Sequence, residues 1–565
     1  MVKFASLFTT ADEPETLLKK GKRSLLIEAA FLSATIALMV GVALVHFDWT
    51  HDDAYISLRY TRNLASGLGP VFNPGERVEG YSDFLWVVLL VPSAWLQADL
   101  ALTAKVLGLV FAGGTVYLSN RLFLLLVHGR SSWGLIPGLL LASSFLFGMN
   151  AILGLETALF SFLVALSAYL YVKGLLHRGP YWASGLAMAL VSMTRPEGPV
   201  LFIAAAVHGL LMLVLAKLRF GAYVIWVGVF ALAYLPYTAW RLWYFGDLLP
   251  NTYYAKIQLG SSAIATGLTY VLGLYHYQSP IFWAMLGLAV VVAAWRLSLT
   301  GPVIAAAVFP VSYLAFAVAA GGDIMFSKRF LVPVLPFLFL GAVYVVREFK
   351  EVTAGRGPYL RLAGGVFVVA FLPVALYSNF FVEHAELQER NTAFGAAWQR
   401  TWYAKVLGAG DLGELARENQ LWGRAFAYHD GTWMLSKYLQ DHAAPSAVVA
   451  LSEVGAVPFF TGLRTVDYLG LTDRNIARMR DSEKVAAFVL TKKPDFIVLT
   501  VTAQSADASL VGRLPQDRAI LQHPDFGRHY RQAMRTAFSE GTSSVPMDNI
   551  DFVLFERTGS PAVVH

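Results

Sequence analysis

The chain has 565 residues, of which 56% are hydrophobic and only 15% charged; its net charge is +6 and it has no cysteine. Soluble proteins carry about 25% charged residues, so this composition excludes a disordered chain, a collagen and an ordinary cytosolic enzyme. Without cysteine there are no disulfides, thiolate zinc sites or cysteine nucleophiles.

The charge is unevenly spread. Residues 1–380 hold 25 Lys+Arg and 17 Asp+Glu, whereas 381–565 hold 19 and 21 in half the length. Residues 1–380 read as a polytopic α-helical membrane domain and 381–565 as a water-soluble domain. The positive balance belongs to membrane loops, so no nucleic-acid partner is expected.

A membrane helix needs about 20 mostly apolar residues. The candidates in chain order are 25–45, 102–127, 133–149, 154–175, 181–194, 198–217, 221–244, 279–296, 302–320, 330–347 and 361–380, about 11 transmembrane helices. The first follows Lys19, Lys20, Lys22 and Arg23. A cleaved signal peptide is the rival reading. The long leader and the absence of a small-x-small site after the apolar run argue against it.

Basic loops stay in the cytoplasm, so the N-terminus is inside and His46 onward outside. Segment 84–98 is apolar but short. If it does not cross, the loops with Arg130, Lys173 and Arg178, Lys217 and Arg219, Arg296, and Arg347, Lys350 and Arg356 all lie inside. It therefore reads as a re-entrant or in-plane helix closing a first periplasmic loop, 46–98. The other outer loops are 148–153, 194–199, 245–278 and 320–329, and the domain from 381 is outside too. The expected location is the cytoplasmic (inner) membrane, with the lipid bilayer as a partner. These outer loops collect Asp52, Asp53, Glu79, Asp83, Glu156, Arg195, Glu197, Lys256, Asp323, Lys328 and Arg329. Charge at helix ends within apolar sequence is costly and often functional.

The run from His51 to Asn63 contains no helix breaker. At 3.6 residues per turn, Asp52, Ile56, Arg59 and Asn63 share one face. His51 or Asp52 can cap this helix. Two adjacent carboxylates above the membrane suit proton transfer from an attacking hydroxyl, one tuning the pKa of the other. The turn-rich stretch Asn73–Ser82 follows as a shaped loop.

Here the residues carry a resemblance. DDAYISLRYTRNLASGLGPVFNPGERVEGYSDFLW from Asp52 resembles the first periplasmic loop of bacterial GT-C glycosyltransferases, in particular the branch of mycobacterial terminal arabinofuranosyltransferases. The likeness continues in GLETALF from Gly154, TRPEG from Thr194, NTYYAK from Asn251, GGDIMFSKRFLVPVLP from Gly321 and LSEVGAVPFFTGLRTVDYLGLTDRNIAR from Leu451. It implies a GT-C fold, a polyprenyl-phosphate-sugar donor and a glycan or glycoprotein acceptor. It also implies a catalytic carboxylate at Asp52, with Asp53 beside it, and D-arabinofuranose as the sugar. Inversion or retention is left open.

On that reading, Lys328 and Arg329 are candidates to clamp the donor phosphate, Arg as a bidentate donor and Lys as a point charge; snorkelling is the alternative. Arg59 and Lys256 are further phosphate candidates. His51, Glu79, Tyr81, Asn251, Tyr254 and Asp323 are candidates for sugar or acceptor contacts. Asp323 can instead orient Lys328 and Arg329. Glu156, Arg195 and Glu197 read as a structural or supporting ion-pair group. No His-rich metal set is visible; no cofactor is required, and a divalent cation is left open.

In the soluble part SAVVALSE, DFIVLT and DFVLFE read as strands and NIARMRDSEKVAAFVLTKK as helical. A small α/β domain follows, as an acceptor-guiding or structural lid. Two other function classes stay in view. One is a protein O-glycosyltransferase of the same fold, acting for example on pilin. The other is a transporter or flippase for lipid-linked sugars, which would place polar sites at the midplane and show repeats.

Overall fold

The computed structural model describes residues 22–44, 47, 50–129, 131–177, 179–256, 261–294, 301–323, 328–383, 422–502, 510–536 and 550–563. Lys19, Lys20, His46, Arg130, Arg178 and Arg296, used above for sidedness, lie outside these residues, as does 384–421 of the C-terminal part. The chain forms two compact units. One comprises 1–47, 104–240 and 258–387; the other comprises 48–103, 241–257 and 388–565.

The first unit is helical. Every one of the eleven apolar segments contains helix. Among the described residues, seven helices are long and apolar enough to cross a membrane: Leu26–Leu44, Leu100–Leu126, Thr157–His177, Phe220–Phe245, Gly301–Ala319, Val332–Ala354 and Pro358–Val382. Ala263–Tyr277 and Pro280–Ala293 give an eighth if the pair, bent by 98°, is one broken span. The remaining three segments hold helices of 17 residues or fewer. Segment 133–149 divides into Ile136–Ser143 and Phe145–Ile152, because Ser144 adopts an extended conformation and its hydroxyl caps the second helix. Tyr181–Thr194 and Gly198–Val214 have 14 and 17 residues.

Outward positions on the spans are apolar. Leu232 is 77% exposed and Val369 74%, a surface that hydrocarbon satisfies and water does not. Inside, small residues allow close packing: a Cβ on Gly108 would collide with the Ala151 carbonyl.

In the second unit the sheet strands are β1 (Val448–Leu451), β2 (Arg464–Asp467), β3 (Phe496–Thr502), β4 (Val511–Gly512), β5 (Tyr530–Thr536) and β6 (Ile550–Arg557). Their order is β2-β1-β3-β6-β5, with β4 paired to β3. β1 is parallel to β2 and β3, whereas β6 is antiparallel to β3 and β5. Ile497, Leu499, Val501, Val553 and Phe555 meet Val485, Ala486, Val489 and Ile520 of the helices Ser482–Thr491 and Pro515–Gln522 in the core. The three expected strands are β1, β3 and β6. The expected helical run is a single turn, Ile476–Arg478, followed by the helix whose N-cap is Asp481. The same unit includes the helices Asp52–Ala65 and Phe84–Trp95, which pack on each other.

Candidate active site

Helix Asp52–Ala65 begins as the sequence requires. His51 is its N-cap, and its Nδ1 accepts from the Asp53 amide at 3.2 Å. Two carboxylates in the first turn complement the helix dipole. The predicted face is real, and it is turned inward. Arg59 and Asn63 both donate to the Phe72 carbonyl, at 2.9 and 3.0 Å.

The two carboxylates have separate surroundings. Asp52 accepts from the Ala456 amide at 2.8 Å and from the Gly455 amide at 3.0 Å. A Cβ on Gly455 would collide with Asp52, so only glycine allows this approach. Burial, the nearby Glu453 carboxylate and adjacent Asp53 outweigh the two amides and push the Asp52 pKa up to about 7. Asp53 keeps 29% of its side chain exposed, with Lys256 Nζ 3.5 Å from Oδ2. Lys256 itself is 38% exposed, at the end of helix Asn251–Lys256. Asp53 and Lys256 thus form an accessible pair, while Asp52 is fastened to the 455–456 turn.

Several expected contact residues are committed inside the protein. Arg59 was a phosphate candidate, yet it is buried and donates to the carbonyls of Phe72, Pro458 and Leu463. Glu79, expected near sugar, is buried and receives two-pronged donation from Arg241, Nε at 2.9 Å and Nη2 at 2.5 Å. Burial raises its pKa and Arg241 opposes the rise. Tyr81 is buried against Tyr60, with ring centroids 4.6 Å apart. Asn251 is buried, and its amide donates to the carbonyls of Gly470, Leu471 and Asp473. Arg59, Glu79 and Asn251 thus spend their polar groups on holding loops together. Tyr254 lies under Arg478, whose guanidinium carbon is 4.3 Å from the ring centroid.

The other candidates belong to the first unit. Arg329 Nε donates to Asp323 Oδ2 at 2.6 Å. Asp323 thus orients the cation. Lys328 has φ +46° and holds its Nζ 4.3 Å from the Tyr270 ring centroid. Arg195 bridges Glu156 and Glu197, and Tyr313 donates to Glu197 at 3.3 Å. All four are buried.

Three carboxylate or cation partners escape a reading of the loops. Arg241 sits alone in an apolar helix, and that isolation is the signal that could have found it. Glu453 follows β1 in the quoted LSEVG run. Glu383, fully buried, accepts from the Ser144 hydroxyl at 2.9 Å and Gln278 at 2.9 Å. Its signal is a single acid ending the last span. Among the described residues no three His, Asp or Glu side chains come together to hold a metal ion.

Comparison with solved structures adds the architecture. ArnT from Cupriavidus metallidurans, bound to undecaprenyl phosphate, matches with a TM-score of 0.56 over 95% of this chain and 99% of that one, at 13% identity. The chain has the GT-C fold. Among curated proteins, the terminal beta-(1->2)-arabinofuranosyltransferase of Mycobacterium tuberculosis is 29% identical over 67% of this chain and 66% of its own length. That of Corynebacterium glutamicum is also 29% identical, over 51% of this chain and 47% of its own. The chain therefore spans just under two thirds of the first relative and about half of the second. The model of a domain of unknown function, DUF8728, matches residues 420–547. This GT-C chain thus resembles the arabinofuranosyltransferases along its sequence and ArnT in its fold.

Proposed function

We propose that the chain is a membrane glycosyltransferase. It transfers D-arabinofuranose from a polyprenyl phosphate to a cell-envelope glycan on the outer side of the cytoplasmic membrane. The arabinofuranosyltransferase likeness supports the sugar, and the Lys/Arg distribution supports the side. The observation that carries the site is the division of labour at the start of helix Asp52–Ala65: one carboxylate fastened by two amides, the next exposed beside a cation.

Asp53 is the base in this reading. The acceptor oxygen forms a bond to the anomeric carbon, its proton passes to Asp53, and the bond from the anomeric carbon to the phosphate oxygen breaks. The leaving group departs as a polyprenyl monophosphate, so it needs cations more than a proton. Lys256, in the same unit as Asp53, supplies such a charge. Its Nζ, 3.5 Å from Asp53 Oδ2, holds a cation beside the base. Asp52 positions the helix on which Asp53 stands.

The test uses purified protein in nanodiscs, synthetic polyprenyl-phosphoarabinose and an arabinan acceptor, with products identified by mass spectrometry. Transfer from that donor is expected and separates an enzyme from a carrier. No product from any polyprenyl-phosphate sugar would reject the reading.

A further inference from the structure

Resting on the glycosyltransferase reading, we infer that the exposed face of helix Trp422–His442 around Trp433 is a subsite for the acceptor glycan. It binds a sugar ring remote from the one that reacts. All the residues concerned belong to the second unit.

Trp433 is 53% exposed on a helix whose opposite face, with Thr432, Leu435, Ser436 and Leu439, is buried. Its ring meets Phe460 edge-on with centroids 5.5 Å apart, and Phe460 lies 5.2 Å from Tyr55. Tyr55 stands two residues after Asp53 on the same helix. A continuous aromatic path therefore runs from the carboxylates to an open indole.

The path is held rigid. Arg62 donates to the Phe459 carbonyl at 2.6 Å and lies 3.8 Å over its ring. Gln440 donates to the Phe460 carbonyl at 3.0 Å. Polar groups rim the indole: Lys437 and Gln440 follow Trp433 at helical spacings of four and seven, and Lys437 pairs with Asp441 at 3.0 Å. A sugar ring presents C–H groups on its faces and hydroxyls at its edge. An indole flanked by an amide and an ion pair matches both.

The experiment measures full-length protein in nanodiscs with synthetic linear arabinofuranosyl acceptors of two lengths, a disaccharide and a hexasaccharide. Trp433→Ala is expected to raise KM for the hexasaccharide about tenfold. Donor KM and kcat at saturating acceptor should hold, and the disaccharide should be affected less. Trp433→Phe should recover most of the loss and Trp433→Leu should not. A wild-type hexasaccharide KM in Trp433→Ala, or equal behaviour of the Phe and Leu variants, would overturn the subsite. Saturation-transfer NMR of the hexasaccharide on wild type and Trp433→Ala reads the same contact without turnover. Loss of the indole-dependent signal is expected, and its persistence in the variant sinks the idea. Asp53→Asn separates the two levels. An active Asp53→Asn removes the catalytic reading. An inactive one, with a wild-type-like Trp433→Ala, removes the subsite alone.

Discussion

Asp52 and Asp53 are neighbours in sequence with opposite fates, and substitution should tell them apart. Asp53→Asn is expected to lower turnover at least about 100-fold with little change in melting temperature. Asp52→Asn leaves one side-chain oxygen for two backbone amides and turns a donor towards the other. It should cost about 1–3 kcal/mol of stability and reduce turnover only as the loop loosens. Asp52 also sets a pH dependence. Its carboxyl titrates near 7 in the folded protein against 3.8 ordinarily. Between those values the folded state holds a proton that the unfolded chain has released, so Asp52 makes stability fall as pH rises from about 4 to 7. Melting temperatures across that range should decline less steeply in Asp52→Asn; identical slopes would reject the assignment. Sequence pointed to both carboxylates and to the His51 cap. It could not divide their roles, because the Gly455 and Ala456 amides are some 400 positions away.

At the level of elements, the long-range ties between loops decide what is rigid. The Glu79–Arg241 pair joins the first loop to the end of helix Phe220–Phe245, and both side chains are buried. Removing one charge leaves the other buried and uncompensated, at a cost of about 3–5 kcal/mol. Arg241→Gln should therefore lower the melting temperature sharply. The pair Glu79→Leu with Arg241→Met should recover much of it, as measured by scanning fluorimetry in nanodiscs. Helix Asp52–Ala65, a helix in the short apolar segment 84–98, and strands β1, β3 and β6 were legible in the sequence. β2 and β5 were not: Arg464–Asp467 is charged at both ends with a single aliphatic side chain between, and Tyr530–Thr536 alternates too weakly in burial to show a buried face. Arg59, Glu79 and Asn251 looked functional because they are polar in outer loops. Their actual partners are backbone carbonyls and a distant arginine, which no local pattern reveals.

For the whole molecule, the proposed sidedness is open to direct measurement, because the chain has no cysteine of its own. Ser66, Arg356 and Gln522 are exposed. Single cysteines at Ser66 and Gln522 should react with an impermeant thiol reagent in spheroplasts, and one at Arg356 should react only after permeabilisation. Labelling of only one of the first two would break the eleven-crossing topology. The buried Arg59 guanidinium has a further consequence, which concerns time. Its acceptors at Pro458 and Leu463 lie 399 and 404 residues further along the chain. At about 5–20 residues per second, a ribosome needs roughly 20–80 s to supply them. For that interval the newly made loop carries an arginine whose burial site does not yet exist. The loop therefore reaches its final form only when synthesis is almost over. A chain cut short before residue 451 should leave it open to proteases, however completely its spans have been inserted.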